Sequence, residues 1–114
     1  MRPRDRGSVT AEMAVCLPVL VLLLAVAVSA VTVAGARVRA QDAAREAARA
    51  LARGDTAAAR RLVADAAPGA RLSVARAGDN VTATVRVHES LLADWLPSVI
   101  VTGRATAAME PGQR

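Results

Sequence analysis

The stretch that decides the fold is GSVTAEMAVCLPVLVLLLAVAVSAVTVAGA, residues 7–36. From Met13 to Ala36 it has 24 consecutive residues without a charge. As a helix this uncharged run is about 36 Å long, enough to cross the hydrocarbon core of a bilayer. Glu12 lies at its border, where a carboxylate is costly to insert and needs a partner. The stretch therefore predicts a membrane helix with one acid that an ordinary anchor does not need.

The residues before this stretch form a short basic leader, Met-Arg-Pro-Arg-Asp-Arg-Gly. Its charge favours retention on the cytoplasmic side under the positive-inside rule, so that the chain beyond Ala36 lies outside. Arg37 and Arg39 flank the other end of the uncharged run and weaken the argument from charge alone.

With a glycine that ends the leader and a glutamate five residues later, the sequence resembles precursors of the type IV pilin superfamily. Such precursors are cut after the glycine, and glutamate is the fifth residue of the mature chain. The resemblance implies cleavage between Gly7 and Ser8 by a prepilin peptidase. It also implies that Ser8 and Glu12 carry subunit assembly, because the new amine of Ser8 is the partner that Glu12 lacks.

Pro18 interrupts the uncharged run. It has no N–H to bond the carbonyl of Ala14, so a kink or a loosened turn is expected there. Pilins often carry proline in this stretch, and the resemblance gives Pro18 a part in assembly, in which a loosened helix helps the subunit leave the bilayer. An ordinary transmembrane proline, tolerated where neighbours compensate, is an equally good interpretation.

The helical signal continues beyond the uncharged run. Residues 37–53 contain strong helix formers, and Gly54 is well placed as the stop. Small residues recur there at the three-and-four spacing of an amphipathic helix, which predicts a packing face of little bulk. This alanine face consists of Ala36, Ala40, Ala43, Ala44, Ala47, Ala48 and Leu51.

The segment DAAREAARALARG, residues 42–54, also resembles the run that follows the membrane helix in the TadE-like branch of the pilin superfamily. Members of that branch are minor pilins or pseudopilins of Tad/Flp pilus systems. Major Flp pilins are much shorter, so the 60 residues beyond Gly54 fit the minor class. The implied partners are a prepilin peptidase, other pilin subunits, the inner-membrane platform proteins of a Tad-type machine and the lipid bilayer.

Beyond Gly54 the pattern changes. Asp55 or Thr56 is suited to cap a second helix that stops at Pro68. Alternating apolar and polar residues on both sides of residues 77–80 predict a β-hairpin, and a third extended run covers residues 99–109. Between them, Ser90 is a candidate cap for one helical turn with Leu91, Leu92, Trp95 and Leu96.

We therefore predict an α+β fold, in which a long N-terminal transmembrane and stalk helix is followed by a short helix and a small three-stranded antiparallel sheet. The alanine face is the nearest cover for the sheet. The predicted divisions are a leader (1–7), a transmembrane and assembly helix (8–36), its stalk continuation (37–53) and an extracytoplasmic α+β domain (54–114).

The basic charge does not indicate a nucleic-acid partner. All 15 basic residues are Arg, and Ala and Arg together fill 43 of 114 positions, which suggests a coding bias. A nucleic-acid binder groups its basic residues on one face beside stacking aromatics. This chain has one Trp and no Tyr or Phe. We expect no nucleic acid among its partners.

The sequence also predicts no catalysis, no cofactor and no metal site. His88 and Glu89 are adjacent, but neighbouring side chains on a strand point to opposite faces. The acids beyond Gly54 show no motif spacing, and no metal-ligand spacing is present. Cys16 is the only cysteine, so an internal disulfide is excluded, and its position early in the apolar run argues against lipidation.

Trp95 and the N-terminal segment each admit a second interpretation. Trp95 is predicted to be buried against the sheet, with an exposed partner or membrane-interface contact as the alternative. Residues 1–36 also fit a Sec signal or anchor of a secreted or membrane-anchored binding domain, because Ala34-Gly35-Ala36 supplies small residues. That view, like a plain single-pass anchor in an envelope complex, leaves Glu12 unexplained. The preferred location is the cytoplasmic membrane or an extracellular pilus.

Overall fold

The computed structural model describes residues 3–91 and 95–112 of the chain. Within these ranges the elements follow one another in the predicted order. They are α1 (Pro3–Ala52), α2 (Thr56–Ala66), β1 (Arg71–Ala77), β2 (Asn80–Ser90) and β3 (Ser98–Ala108). The strands form a three-stranded sheet in the order β1-β2-β3, and both pairings are antiparallel. The predicted α+β class is confirmed.

The chain divides into two compact units, one up to Val31 and one from Thr32 onward. In the first unit, the described side chains from Gly7 onward are exposed, except that Ala25 and Ser29 are half-buried. The second unit contains the rest of α1 and all the other elements. Its hydrophobic core is the subject of the following paragraphs.

Helix α1 begins at Pro3, five residues before the predicted start at Ser8. Proline suits the first helical position, because its fixed φ is helical and its missing N–H has no partner there anyway. The helix then continues through Pro18 without interruption. At its other end the expected stop is present: Gly54 has a φ of 80°, and its N–H donates to the carbonyl of Leu51 at 2.9 Å.

The sequence offers either Asp55 or Thr56 as the N-cap of α2, and the structure shows which residue it is. The carboxylate of Asp55 accepts from the backbone N–H of Ala58 at 2.9 Å, so Asp55 is the cap and Thr56 the first helical residue. The helix buries Ala59 and Val63. It is a short element that adds one apolar edge to the core.

The sheet confirms the predicted hairpin. Ala77 pairs with Asn80, and Gly78 has a φ of 57° at the first central position of the turn, as a type II′ turn requires. The prediction of Ser90 as a helix cap is wrong, because Ser90 is the last residue of β2 and pairs with Ser98. Of that predicted turn, Leu92 lies outside the described residues, and Leu91, Trp95 and Leu96 are not helical.

The core of the second unit lies between the alanine face and one side of the sheet. Every residue of the alanine face is less than 5 % exposed. The inward-facing positions of β2 alternate along the strand and are all buried from Val81 to Val87, and Thr84 between them is buried as well, at 8 % exposed. The strand side of the core comprises Val81, Ala83, Val85, Val87 and Val101.

The closest approach of helix and sheet is at Gly103 in β3. A Cβ at this glycine would collide with the backbone carbonyl of Ala40. Beside it, the side chain of Gln41 donates to the carbonyl of Arg104 at 2.7 Å and accepts from its N–H at 3.1 Å. Glycine and glutamine therefore set the distance and the register of α1 on β3.

We predict that Gly103→Ala destabilises the second unit by about 1–3 kcal/mol, because the added methyl meets helix backbone that a side-chain rotation cannot clear. The measurement is the urea midpoint of the full chain in detergent, with circular dichroism of the sheet as the signal that monitors unfolding. Thr102→Ala, at the exposed neighbouring position, is the control and should stay within about 0.5 kcal/mol. Equal midpoints for the two variants would contradict the close approach.

Candidate functional site

Two of the three predicted assembly residues, Ser8 and Glu12, lie on one face of α1, whereas Pro18 lies outside it. Ser8, Ala11, Glu12, Val15 and Cys16 line a shared shallow concavity of the helix surface, at the three-and-four spacing of one helical face. Ser8 and Glu12 are four residues apart, so they lie about 6 Å apart along the axis. A positive charge at Ser8 is therefore within reach of the Glu12 carboxylate of the same chain.

Glu12 is an exposed acid surrounded by exposed apolar side chains. Val9 is 44 % exposed and Met13 59 %. Among the residues that the structure describes, Glu12 forms no ion pair. The carboxylate is available for a partner outside its own fold.

The helix that carries these residues is a candidate membrane span. Gly7–Ala52 is long and apolar enough to cross a bilayer by length and composition, and the most apolar 18-residue stretch has none of its residues buried. This most apolar stretch is therefore not part of the buried core of the second unit. The helix thus fits a single-pass membrane anchor.

Gly7 lies inside α1 and is not required by the fold. A Cβ built at this position meets nothing within 4 Å, and glycine in a helix interior costs about 1 kcal/mol relative to alanine. Neither the space around position 7 nor its helical conformation therefore requires glycine.

The alanine face is occupied by the chain's own sheet. Ala40, Ala44 and Ala47 have no exposed surface, Ala48 is 1 % exposed and Leu51 2 %. The core also buries Ala50 and Ala52, which lie off the predicted face. The three-and-four spacing did not predict their burial. After β3 the chain returns to the end of α1, where the Glu110 N–H donates to the carbonyl of Ala52 at 3.0 Å.

The residues considered for catalysis do not form a site. Along β2 His88 is exposed and Glu89 half-buried, in line with the alternation of the strand. In the part of the chain that the structure describes, no three His, Cys, Asp or Glu residues come together as metal ligands. Trp95, predicted to be buried against the sheet, is instead 83 % exposed, because it follows β2 in the connection to β3 rather than a packed helical turn.

Comparison with known proteins identifies the class. The family model described as TadE-like protein matches residues 7–49, the part of α1 with Gly7, Glu12 and most of the alanine face. The chain is also 42 % identical over 102 residues to the protein named Apoptosis inhibitor Rv3655c of Mycobacterium tuberculosis (strain ATCC 25618 / H37Rv), and the alignment covers 89 % of this chain and 78 % of that protein. No solved structure matches the chain.

The chain therefore belongs to the TadE-like family. Proteins of this family are structural components associated with Tad/Flp pilus systems, and their partners are, in general, other components of those systems. The apolar N-terminal half of α1 is consistent with a single-pass membrane anchor in such a system.

We predict that Ala44→Leu destabilises the second unit by about 1–3 kcal/mol, since the extra side-chain volume enters a fully packed contact between α1 and the sheet. Urea unfolding of the full chain in detergent measures the change. The control is Arg45→Leu, which puts the same side chain on the exposed side of the helix and should shift the midpoint little. If both variants unfold alike, the alanine face is not covered by the sheet.

Proposed function

We propose that this protein is a minor pilin or pseudopilin that is processed after Gly7 and takes part in assembly or priming of a Tad/Flp-type filament. The observation that carries the proposal is the placement of Glu12. It is an exposed carboxylate at the border of an exposed apolar helix, with Ser8 one turn away on the same face. No requirement of the folded second unit accounts for either residue.

Removal of the leader creates the group that Glu12 lacks. A cut after Gly7 frees the amine of Ser8, which is positively charged and can pair with Glu12 of the same or an adjacent subunit. Away from water, a mispaired carboxylate costs several kcal/mol, whereas the paired one does not. The pair thereby sets the register in which subunits stack.

In this proposal residues 1–7 are the leader, 8–36 the transmembrane and assembly helix, 37–53 its stalk continuation and 54–114 the extracytoplasmic domain. The partners are a prepilin peptidase, other pilin subunits, the inner-membrane platform proteins of a Tad-type machine and the bilayer. The N-terminus is cytoplasmic and the domain lies outside, first at the membrane and then in a pilus. Pro18 loosens the helix during extraction.

A secreted or membrane-anchored binding domain is the second candidate. Ala34-Gly35-Ala36 offers a signal peptidase small residues, and the relative at 42 % identity is named an apoptosis inhibitor rather than a pilin. A cut after Ala36, however, removes a residue that is only 1 % exposed from the core. The core of the second unit keeps this residue only when α1 is intact.

The two candidates differ in the first residue of the mature chain, which mass spectrometry of the membrane-extracted protein identifies. The pilin proposal expects a start at Ser8, whereas a start at Arg37 supports the secreted domain and an intact Met1 a plain anchor.

We expect Gly7→Leu to abolish the cut, because a bulky side chain then precedes the scissile bond while a good helix former leaves α1 intact. The mass of the intact protein shows whether the cut has occurred. The matched control is Gly35→Ala, a second glycine of α1, whose processing should be unchanged. A Gly7→Leu chain that still begins at Ser8 would refute recognition of Gly7.

We predict that Glu12→Ala leaves processing and membrane insertion intact and strongly reduces assembly, because the amine of Ser8 loses its partner. Assembly is measured as the fraction of the protein in sheared filaments, or as piliation when the subunit primes assembly. Asp42→Ala removes an exposed acid of α1 outside the uncharged run and serves as the control. Normal assembly of the Glu12→Ala protein would sink the proposed pairing.

A further inference from the structure

The folded core of the second unit reaches into the uncharged run. Val33 packs against the core, and Ala36 is 1 % exposed. Both residues precede Arg37, the first charge after the run. The sheet is therefore attached to helix residues that, by sequence, are still at the edge of the membrane span, with no charged spacer between domain and bilayer.

One end of the sheet lies nearest to these residues. The backbone N–H of Glu110 donates to the carbonyl of Ala52, and Gly103 packs on Ala40. The segment that begins with β3 therefore runs alongside α1 in the same direction. At the N-terminal end of the contact between α1 and β3, Val87 and His88 of β2 line a recess together with Ala36. The end of β2 and the start of β3 thus lie beside the last turn of the uncharged run.

Ser90 and Ser98, the paired ends of β2 and β3 that the β2–β3 connection joins, lie further in this direction. From Gly103 back to Ser98 is about 16 Å of strand at 3.3 Å per residue. From Ala40 back to Ala36 is only about 6 Å of helix at 1.5 Å per residue. Even when the strand crosses the helix at an angle, Ser98 comes level with helix residues that precede Arg37.

The described residues of this connection are suited to a membrane interface. Trp95 is 83 % exposed, and tryptophan prefers the headgroup region, where its ring is in apolar contact while its N–H stays hydrated. On β3, Ile100 is 58 % exposed. Arg37 and Arg39 are exposed on the helix, where their long side chains can reach lipid phosphates.

We propose that this end of the sheet rests on the bilayer, with Trp95 inserted at headgroup level in the leaflet where the uncharged run ends. This contact rests on the proposed membrane anchoring by α1. It holds the second unit against the surface before assembly, and leaving the bilayer requires Trp95 to be withdrawn together with the helix.

The test uses the chain's own fluorescence, because Trp95 is the only Trp and there is no Tyr or Phe. The full chain is reconstituted into phosphatidylcholine–phosphatidylglycerol vesicles, and insertion of α1 is checked separately by carbonate-resistant co-flotation. We expect blue-shifted Trp95 emission, loss of most of it when brominated lipids replace the ordinary ones, and protection from aqueous acrylamide.

The matched control is the double variant Trp95→Leu, Ala108→Trp, which moves the fluorophore to an exposed position at the opposite end of the sheet, where residue 108 pairs with Asn80. Its emission should be insensitive to brominated lipid and open to acrylamide. Equal quenching of both proteins would overturn the proposal, because the domain would then lie on the membrane without a preferred end.

The remaining outcomes separate this proposal from the anchoring on which it rests. Co-flotation with a Trp95 that is open to acrylamide and unaffected by brominated lipid overturns the contact and leaves the anchor standing. A Trp95 protected only at high protein-to-lipid ratio, without quenching by brominated lipid, also overturns it, in favour of contact between copies. Failure to co-float removes both the anchor and the contact.

Discussion

The contact of the alanine face with the sheet is the constraint on which the second unit depends. Its strength comes from closeness rather than bulk: alanines on α1 and a glycine on β3 let backbone approach backbone, so that many weak dispersion contacts replace a few large side chains. Leu51, Val81 and Val85 are the largest fully buried side chains in the described residues. With so little volume to bury, each close contact carries a large share of the stability.

The sequence was a good guide where periodicity is long. The alanine face, the stop at Gly54 and the hairpin at Gly78 were predicted because each depends on local spacing or on one glycine conformation. In the full chain α1 begins at Pro3 rather than at Ser8, since nothing in residues 3–7 ends a helix. The helical turn around Trp95 was a wrong prediction drawn from a leucine pattern too short to decide. The return of the chain to Ala52 after β3 is a tertiary contact, which no spacing reveals.

For the proposed assembly site too, part was visible in the sequence and part comes only from the structure. A charge at the border of an apolar run is visible in the sequence, and so is the four-residue spacing of Ser8 and Glu12. What the structure adds is the contrast between the two halves of α1. From Ala36 to Ala52 the helix buries its small-residue face against its own sheet, whereas the described side chains up to Val31 are almost all exposed. In the proposed filament, the apolar half is therefore the part of α1 that is free to contact other subunits.

The side chain of Gln41 has a consequence for how copies of this protein behave when they are crowded together. By satisfying both backbone groups of Arg104, it takes the place that a strand from another molecule would occupy on the open edge of β3. On the opposite edge, β1 displays Arg71 and Arg76 as exposed charges, a second common defence against edge-to-edge pairing. Both edges of the sheet are thus less open to pairing with a neighbouring copy in the plane of a membrane, and in the proposed filament ordered stacking depends on the helix.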